Sequence, residues 1–167
     1  MHASPSGQML RVPLYIDAAT DKRDLILAET TSAFDVFVAR SIPAFAWGLA
    51  YGDTFRIVDA VEGHFALLQR SGDITMRAYI RGTLDRPEVH ALRDALGRAG
   101  GRHEIALDHA PGCMEHSLLL LSVGVAFGFP AIEALLGTLP ASDCEWEYGN
   151  VYGRDGQPLN WWEDQLA

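Results

Sequence analysis

The chain has 167 residues, enough for one ordinary domain or two small, closely packed ones whose core needs neither disulfide nor metal. Apolar residues at 49% and charged residues at 21% match folded globular proteins and exclude intrinsic disorder and low-complexity architecture. With 13 Lys and Arg against 22 Asp and Glu, the formal net charge of -9 repels phosphate backbones and anionic bilayers, so neither nucleic acid nor membrane is an expected partner.

Residues 9–16 read as a first strand that Pro13 pushes toward a sheet edge, and residues 17–24 as a polar turn. A second strand is expected over 25–30. In 34–39, Phe34, Val36 and Val38 alternate with Asp35, Phe37 and Ala39 in the two-residue period of a sheet, and Ser41-Ile42-Pro43 ends the strand. Residues 54–60 and 64–70 are two β-rich runs joined by Val61-Glu62-Gly63, a hairpin with Gly where a positive φ is needed.

At Ser71-Gly72-Asp73 the pattern changes. Residues 74–80 read as a strand, and Asp85-Arg86-Pro87 opens a helix with Val89, Leu92, Leu96 and Ala99 on one face and Gly100-Gly101 as its stop. Strands over 103–107 and 117–123 flank a loop. A second helix over 130–139 carries Ile132, Leu135, Leu136 and Leu139, and a last strand covers 144–152. The expected fold is α+β: a β-rich N-terminal half (1–73), then a ferredoxin-like βαββαβ sandwich (74–152) with an acidic aromatic tail (153–167) packed on the body.

Residues 1–8 are small, polar and uncharged apart from His2, unlike a secretory signal, so a cytoplasmic protein is expected. The most apolar stretch, 117–129, is shorter than the roughly 20 residues of a membrane helix and reads as a buried element. Cys113 and Cys144 lack a CxxC partner and read as reduced, packed thiols.

Residues 38–56, with Ile42-Pro43-Ala44-Phe45, Trp47-Gly48 and Tyr51-Gly52-Asp53, followed by Ser71-Gly72-Asp73-Ile74-Thr75-Met76-Arg77, resemble a bacterial family known as domain of unknown function 4265. The likeness lies mainly in residues 29–77. The family pattern has an Ile-Pro-Phe-like turn, an aromatic and Gly run, a Tyr-Gly-Asp step and a Ser-Gly-His-x-Thr-x-Arg segment. Here Asp73 stands where the family more often has His, which implies a structural role for that segment. The resemblance implies no particular chemistry.

On the residues themselves, Ile42-Pro43 fixes a turn and Asp53 is placed to accept from backbone amides before the next strand. The functional alternative has Trp47, Tyr51, Asp53 and Arg77 lining a groove between the halves, where a charged pair beside aromatics holds a small polar ligand. His109, Cys113 and His116, with Asp108 or Glu115, are the densest group of potential ligands or nucleophiles. Their spacing matches no zinc motif and no orienting third group is evident, so the segment reads as a plain loop with no metal and no cofactor. His64 and His90 stand singly and read as ordinary side chains. Phosphate-binding, GxSxG and HExxH motifs are missing, and no residue is assigned as catalytic.

The C-terminal stretch is distinct. Asp143, Glu145, Glu147 and Asp155 alternate with Trp146, Tyr148 and Tyr152, and Trp161 and Trp162 follow. Carboxylates that steer an encounter beside aromatics that anchor it suit the binding of a basic protein. The same aromatics on alternate positions of a last strand also suit a core. The expected function is a non-enzymatic inhibitor of the immunity type, neutralising a basic cognate toxin domain such as a nuclease. The alternative is a small-molecule binder or enzyme with its site between the halves.

Overall fold

A computed structural model describes residues 7–17 and 22–167 of the chain. Most of the polar start of the chain, and the centre of the expected turn at 18–21, lie outside the described residues. Five strands come first: β1 (Met9–Asp17), β2 (Lys22–Thr30), β3 (Val36–Ala39), β4 (Thr54–Asp59) and β5 (His64–Gln69). They pair as an antiparallel meander in the order β1-β2-β3-β4-β5. The meander curls back on itself, because the Tyr15 amide donates to the Gly63 carbonyl at 2.8 Å and brings β1 to the β4–β5 hairpin. Inside the curl, Leu14, Ile26, Ala28, Leu49 and Phe55 are buried together.

Gly63 makes that approach possible. Its φ is +77°, and a Cβ there would lie 2.9 Å from the Tyr15 nitrogen and 3.0 Å from the Pro13 carbonyl oxygen. Gly63→Ala is therefore expected to lose about 2 kcal/mol of stability, from a left-handed backbone and a backbone clash together, as read by urea unfolding.

Two expectations in this half are corrected. β2 starts at Lys22, since Lys22, Arg23 and Asp24 pair with Asp17, Tyr15 and Leu14 in a longer hairpin than the polar residues suggested. Phe34 is 64% exposed and Asp35 has φ 55°, so the expected alternation does not reach them. They form the turn into β3, and strand character begins at Val36.

The second sheet follows after Gln69: β6 (Asp73–Arg81), α1 (Pro87–Arg98), β7 (Arg102–Leu107), β8 (His116–Gly124), a single 3-10 turn (Val125–Phe127), α2 (Phe129–Leu136) and β9 (Cys144–Tyr148). A short helix α3 (Glu163–Leu166) ends the chain. The sheet is antiparallel in the order β7-β8-β6-β9, so β9 is an edge. The chain is thus α+β, β-rich first and mixed afterwards. The expected last strand is shorter than 144–152, because the Thr75 amide donates to Asn150 Oδ1 at 2.9 Å and the Gly149 carbonyl accepts from the Gly48 amide at 3.0 Å, which ends the ladder on β6.

Alternation on β6 and β8 decides what meets what. Ile74, Met76, Ala78 and Ile80 of β6, with Leu119, Leu121 and Val123 of β8, face Val89, Leu92 and Leu96 of α1 and Ile132 and Leu136 of α2. On the other face, Leu118 and Leu120 cover Ile42 from the segment between β3 and β4. β8 is buried on both sides, which is why 118–121 is an unbroken apolar run. No helix among the described residues is long and apolar enough to cross a membrane.

Candidate functional site

The face of β6 opposite the helices carries Thr75, Arg77 and Tyr79, and the β3–β4 segment folds over it. Arg77 is 1% exposed. Its Nη1 donates to Glu147 Oε1 at 3.3 Å, its Nη2 reaches the Ala46 carbonyl at 3.4 Å, and its guanidinium lies 5.5 Å from the centre of the Trp47 ring. No described residue partners Arg77 Nε, Trp47 Nε1 or Thr75 Oγ1, all of which are buried. Glu147 therefore supplies the main compensation for a charge taken out of water. The same Glu147 oxygen accepts from the Tyr79 hydroxyl at 3.0 Å. Burial first, and the neighbouring carboxylate second, push the Tyr79 phenol up to about 12.

Asp53 is fully buried nearby. Its carboxylate accepts from the Ala50 amide at 2.9 Å and the Ser71 amide at 2.7 Å, and Arg70 lies 3.6 Å away. Burial raises the Asp53 pKa above the ordinary aspartate value, against the pull of those amides and of Arg70. The Ser71 hydroxyl donates to the Tyr51 carbonyl at 2.6 Å. The two segments that carry the family resemblance, Tyr51-Gly52-Asp53 and the run from Ser71 to Arg77, are thus knotted together where the two sheets meet.

The expected ligand groove does not form from its four residues. Asp53 and Arg77 are not each other's partners, since Asp53 faces Arg70 and Arg77 faces Glu147. Tyr51 stacks beneath the Arg102 guanidinium at 3.5 Å. Trp47 lines open hollows with Phe45, Tyr15, His64 and Arg154 instead. Burial of the two charged groups, each with its own counter-ion, removes them from any shared cleft.

The C-terminal residues divide by the pleat of β9. Glu145 and Glu147 lie on the side of Arg77 and Tyr79, while Trp146 and Tyr148 lie on the helix side. There an aromatic chain runs from Trp146 to Tyr148 at 5.0 Å, on to Phe129 at 5.7 Å and to Trp162 at 5.1 Å. Tyr152 adds to it 6.3 Å from Tyr148. Trp161 packs on Trp162, donates its indole N–H to the Asn150 carbonyl at 2.7 Å, and lies under Arg70 at 5.1 Å. Asp143 pairs with Arg86 at 3.3 Å, and Asp155 accepts from the Gln157 amide in a turn. Among the described residues, Glu145, Asp155, Glu163 and Asp164 form no ion pair. The stretch is therefore a half-buried aromatic ridge along the β9 edge with unpaired carboxylates around it.

Several residues that hold this arrangement had no pattern of their own. Asn150 is fully buried, accepts from the Thr75 amide at 2.9 Å and donates to the Asp73 carbonyl at 2.8 Å. Asp24 accepts from the Phe45 and Ala46 amides at 2.8 and 2.9 Å, which ties β2 to the covering segment. Tyr79 had a signal, being two and four residues from Arg77 and Thr75 on one strand face.

In the β7–β8 loop, His109, Cys113 and Glu115 converge, while His116 begins β8 opposite Arg81 and Asp108 accepts from the Leu84 amide at 2.8 Å. His64 lies edge-on to Tyr15 at 4.5 Å, and His90 pairs with Asp85 at 2.8 Å.

No curated protein matches the chain. A solved structure from Neisseria gonorrhoeae, a novel crystal structure of a hypothetical protein, is similar at 19% identity with a TM-score of 0.54, covering 89% of this chain and 96% of that chain. At that identity the likeness concerns the fold alone. The model of the family described as domain of unknown function (DUF4265) matches residues 26–148. That span contains Asp53, Ser71, Arg77 and Glu147, and the chain accordingly belongs to the DUF4265 family.

Proposed function

We propose that the chain is a non-enzymatic binding protein that neutralises a basic partner, as immunity proteins do when they occlude a cognate toxin domain, for instance a nuclease. The observation that carries this reading is the β9 edge: a strand edge with no strand partner on that side among the described residues and, around a continuous aromatic ridge, Glu145, Asp155, Glu163 and Asp164, none of which has a cation partner among those residues. An open strand edge offers backbone groups, half-buried aromatics offer anchors, and free carboxylates steer a cationic surface. Arg77, Asp53 and Glu147 serve in this reading as the frame that fixes β9, and Glu147 is engaged by Arg77 and Tyr79. We further read the second half as a ferredoxin-like sandwich, on the support of its βαββαβ order and the strand order β7-β8-β6-β9 with both helices on one face. That fold serves many functions and adds no weight to the binding reading.

The test is local charge reversal. Glu145→Lys with Asp155→Lys and Glu163→Lys is expected to weaken the complex with the product of the gene immediately upstream by about a hundredfold at low salt. Asp94→Lys, on the helix α1 that packs against β7 at the opposite edge of the sheet from β9, is expected to change it by less than about threefold. Equal loss in both variants, or none in the first, contradicts the assignment of this edge.

A further inference from the structure

We infer that the β7–β8 loop is a metal site, with His109, Cys113 and Glu115 as ligands for one zinc-class divalent cation. The loop lies at the end of β6 where Arg81 and Gly82 leave the sheet, and it takes no part in the β9 edge. One ligand atom from each of the three residues lies within 4.8 Å of the other two. His109 Nε2 is 3.7 Å from Glu115 Oε2. Two ligands on one tetrahedral zinc ion stand roughly 3.3–3.7 Å apart, given bonds of about 2.0–2.3 Å, so closing the set takes about an ångström of side-chain movement. Glu115 has that freedom, its side chain being 79% exposed.

The backbone holds the three residues in place without a metal. The His109 amide donates to the Ser117 hydroxyl at 2.9 Å, the Cys113 amide to the Ala110 carbonyl at 3.1 Å, and the Gly82 amide to the Glu115 carbonyl at 2.8 Å. Gly112, with φ +85°, makes the turn between His109 and Cys113. The spacing matches no zinc motif because the three ligands come from one irregular loop, and the turn, which sequence does not display, brings them together.

The chemistry of the set selects the cation. One thiolate, one imidazole and one carboxylate match zinc, cobalt or cadmium and disfavour magnesium and calcium, which take oxygen ligands. A thiolate and a carboxylate together balance a divalent charge. Three protein ligands leave a fourth position for water. Asp108 is not in the set, since its Oδ1 accepts from Leu84. Cys144 is separate, and burial pushes its thiol up, which keeps it protonated and a poor ligand at neutral pH.

The experiment is a titration of the reduced full chain with cobalt(II), followed by zinc displacement. Thiolate-to-cobalt charge transfer is expected to saturate at one equivalent and to vanish when zinc is added. Cys113→Ser is expected to abolish the band, His109→Ala and Glu115→Gln each to weaken cobalt binding by at least about tenfold, and Cys144→Ser to leave it unchanged. All four positions are exposed or half-buried, and circular dichroism of each variant verifies folding. Absence of the band in the unmodified chain at millimolar cobalt, its survival in Cys113→Ser, or its loss in Cys144→Ser overturns the site and leaves His109 and Glu115 as an ordinary contact between loop side chains.

Discussion

Glu147→Ala is expected to destabilise the protein by about 3 kcal/mol, whereas Arg77→Met is expected to lose less than about 1.5 kcal/mol. The order runs against exposure, for the Glu147 side chain is 43% exposed and that of Arg77 only 2%. Its cause is the asymmetry of a buried pair. Removing Glu147 leaves a guanidinium in the interior with the Ala46 carbonyl at 3.4 Å and the Trp47 ring as its remaining company. Removing Arg77 in favour of a side chain of similar length deletes the buried charge and its unpartnered Nε, while Glu147 still accepts from Tyr79 and still reaches water. Arg77→Met combined with Glu147→Ala is then expected to lie within about 0.5 kcal/mol of Arg77→Met alone, a strongly non-additive cycle. Urea unfolding of the three variants reads all of this, and additivity would show that Glu147 is not what holds Arg77.

Asp53→Ala is expected to lose about 3–4 kcal/mol, since it leaves the Ala50 and Ser71 amides without their acceptor in a closed interior and Arg70, which still donates to the Gly48 carbonyl at 2.7 Å, without its counter-ion. Asp53→Asn retains one acceptor oxygen and is expected to lose about half as much. The pH dependence has a definite sign. The folded Asp53 pKa stands above the unfolded value, so the folded state holds this proton more tightly. The associated stability is fully present below the ordinary aspartate pKa and is lost as pH rises through the raised folded value. Asp53→Asn, which does not titrate, is expected to compare better with the unmodified chain at neutral pH than in acid. A difference independent of pH would contradict the raised pKa.

Much of the fold was legible because alternation and helical period are strong where a face is buried. β6 and β8 each show one side to the helices, and α1 shows Val89, Leu92 and Leu96 to the sheet. The polar beginning of β2 was not legible, because Asp24 is buried by accepting from a segment some twenty residues away. α3 has four residues and no apolar face to announce it. At the site, the aromatic and acidic residues of 143–162 could be named from sequence, but their division between two faces follows from the register of β9 on β6, Arg77 opposite Glu147 and Ala78 opposite Trp146. Register between strands seventy residues apart leaves no local trace. The partners of Arg77 and Asp53 were hidden for the same reason, and a groove between them was expected where two separate buried pairs exist.

The binding reading makes the frame and the edge two parts of one device: Asp53, Arg77 and Glu147 lock the covering segment to β6 and β9, and β9 with the C-terminal aromatics faces the partner. Co-expression of the full chain with the product of the gene immediately upstream, followed by gel filtration across a salt series, tests this most directly. A stoichiometric complex at low salt that weakens steeply as salt rises is the predicted result. Elution of the two proteins apart at every salt concentration would contradict it.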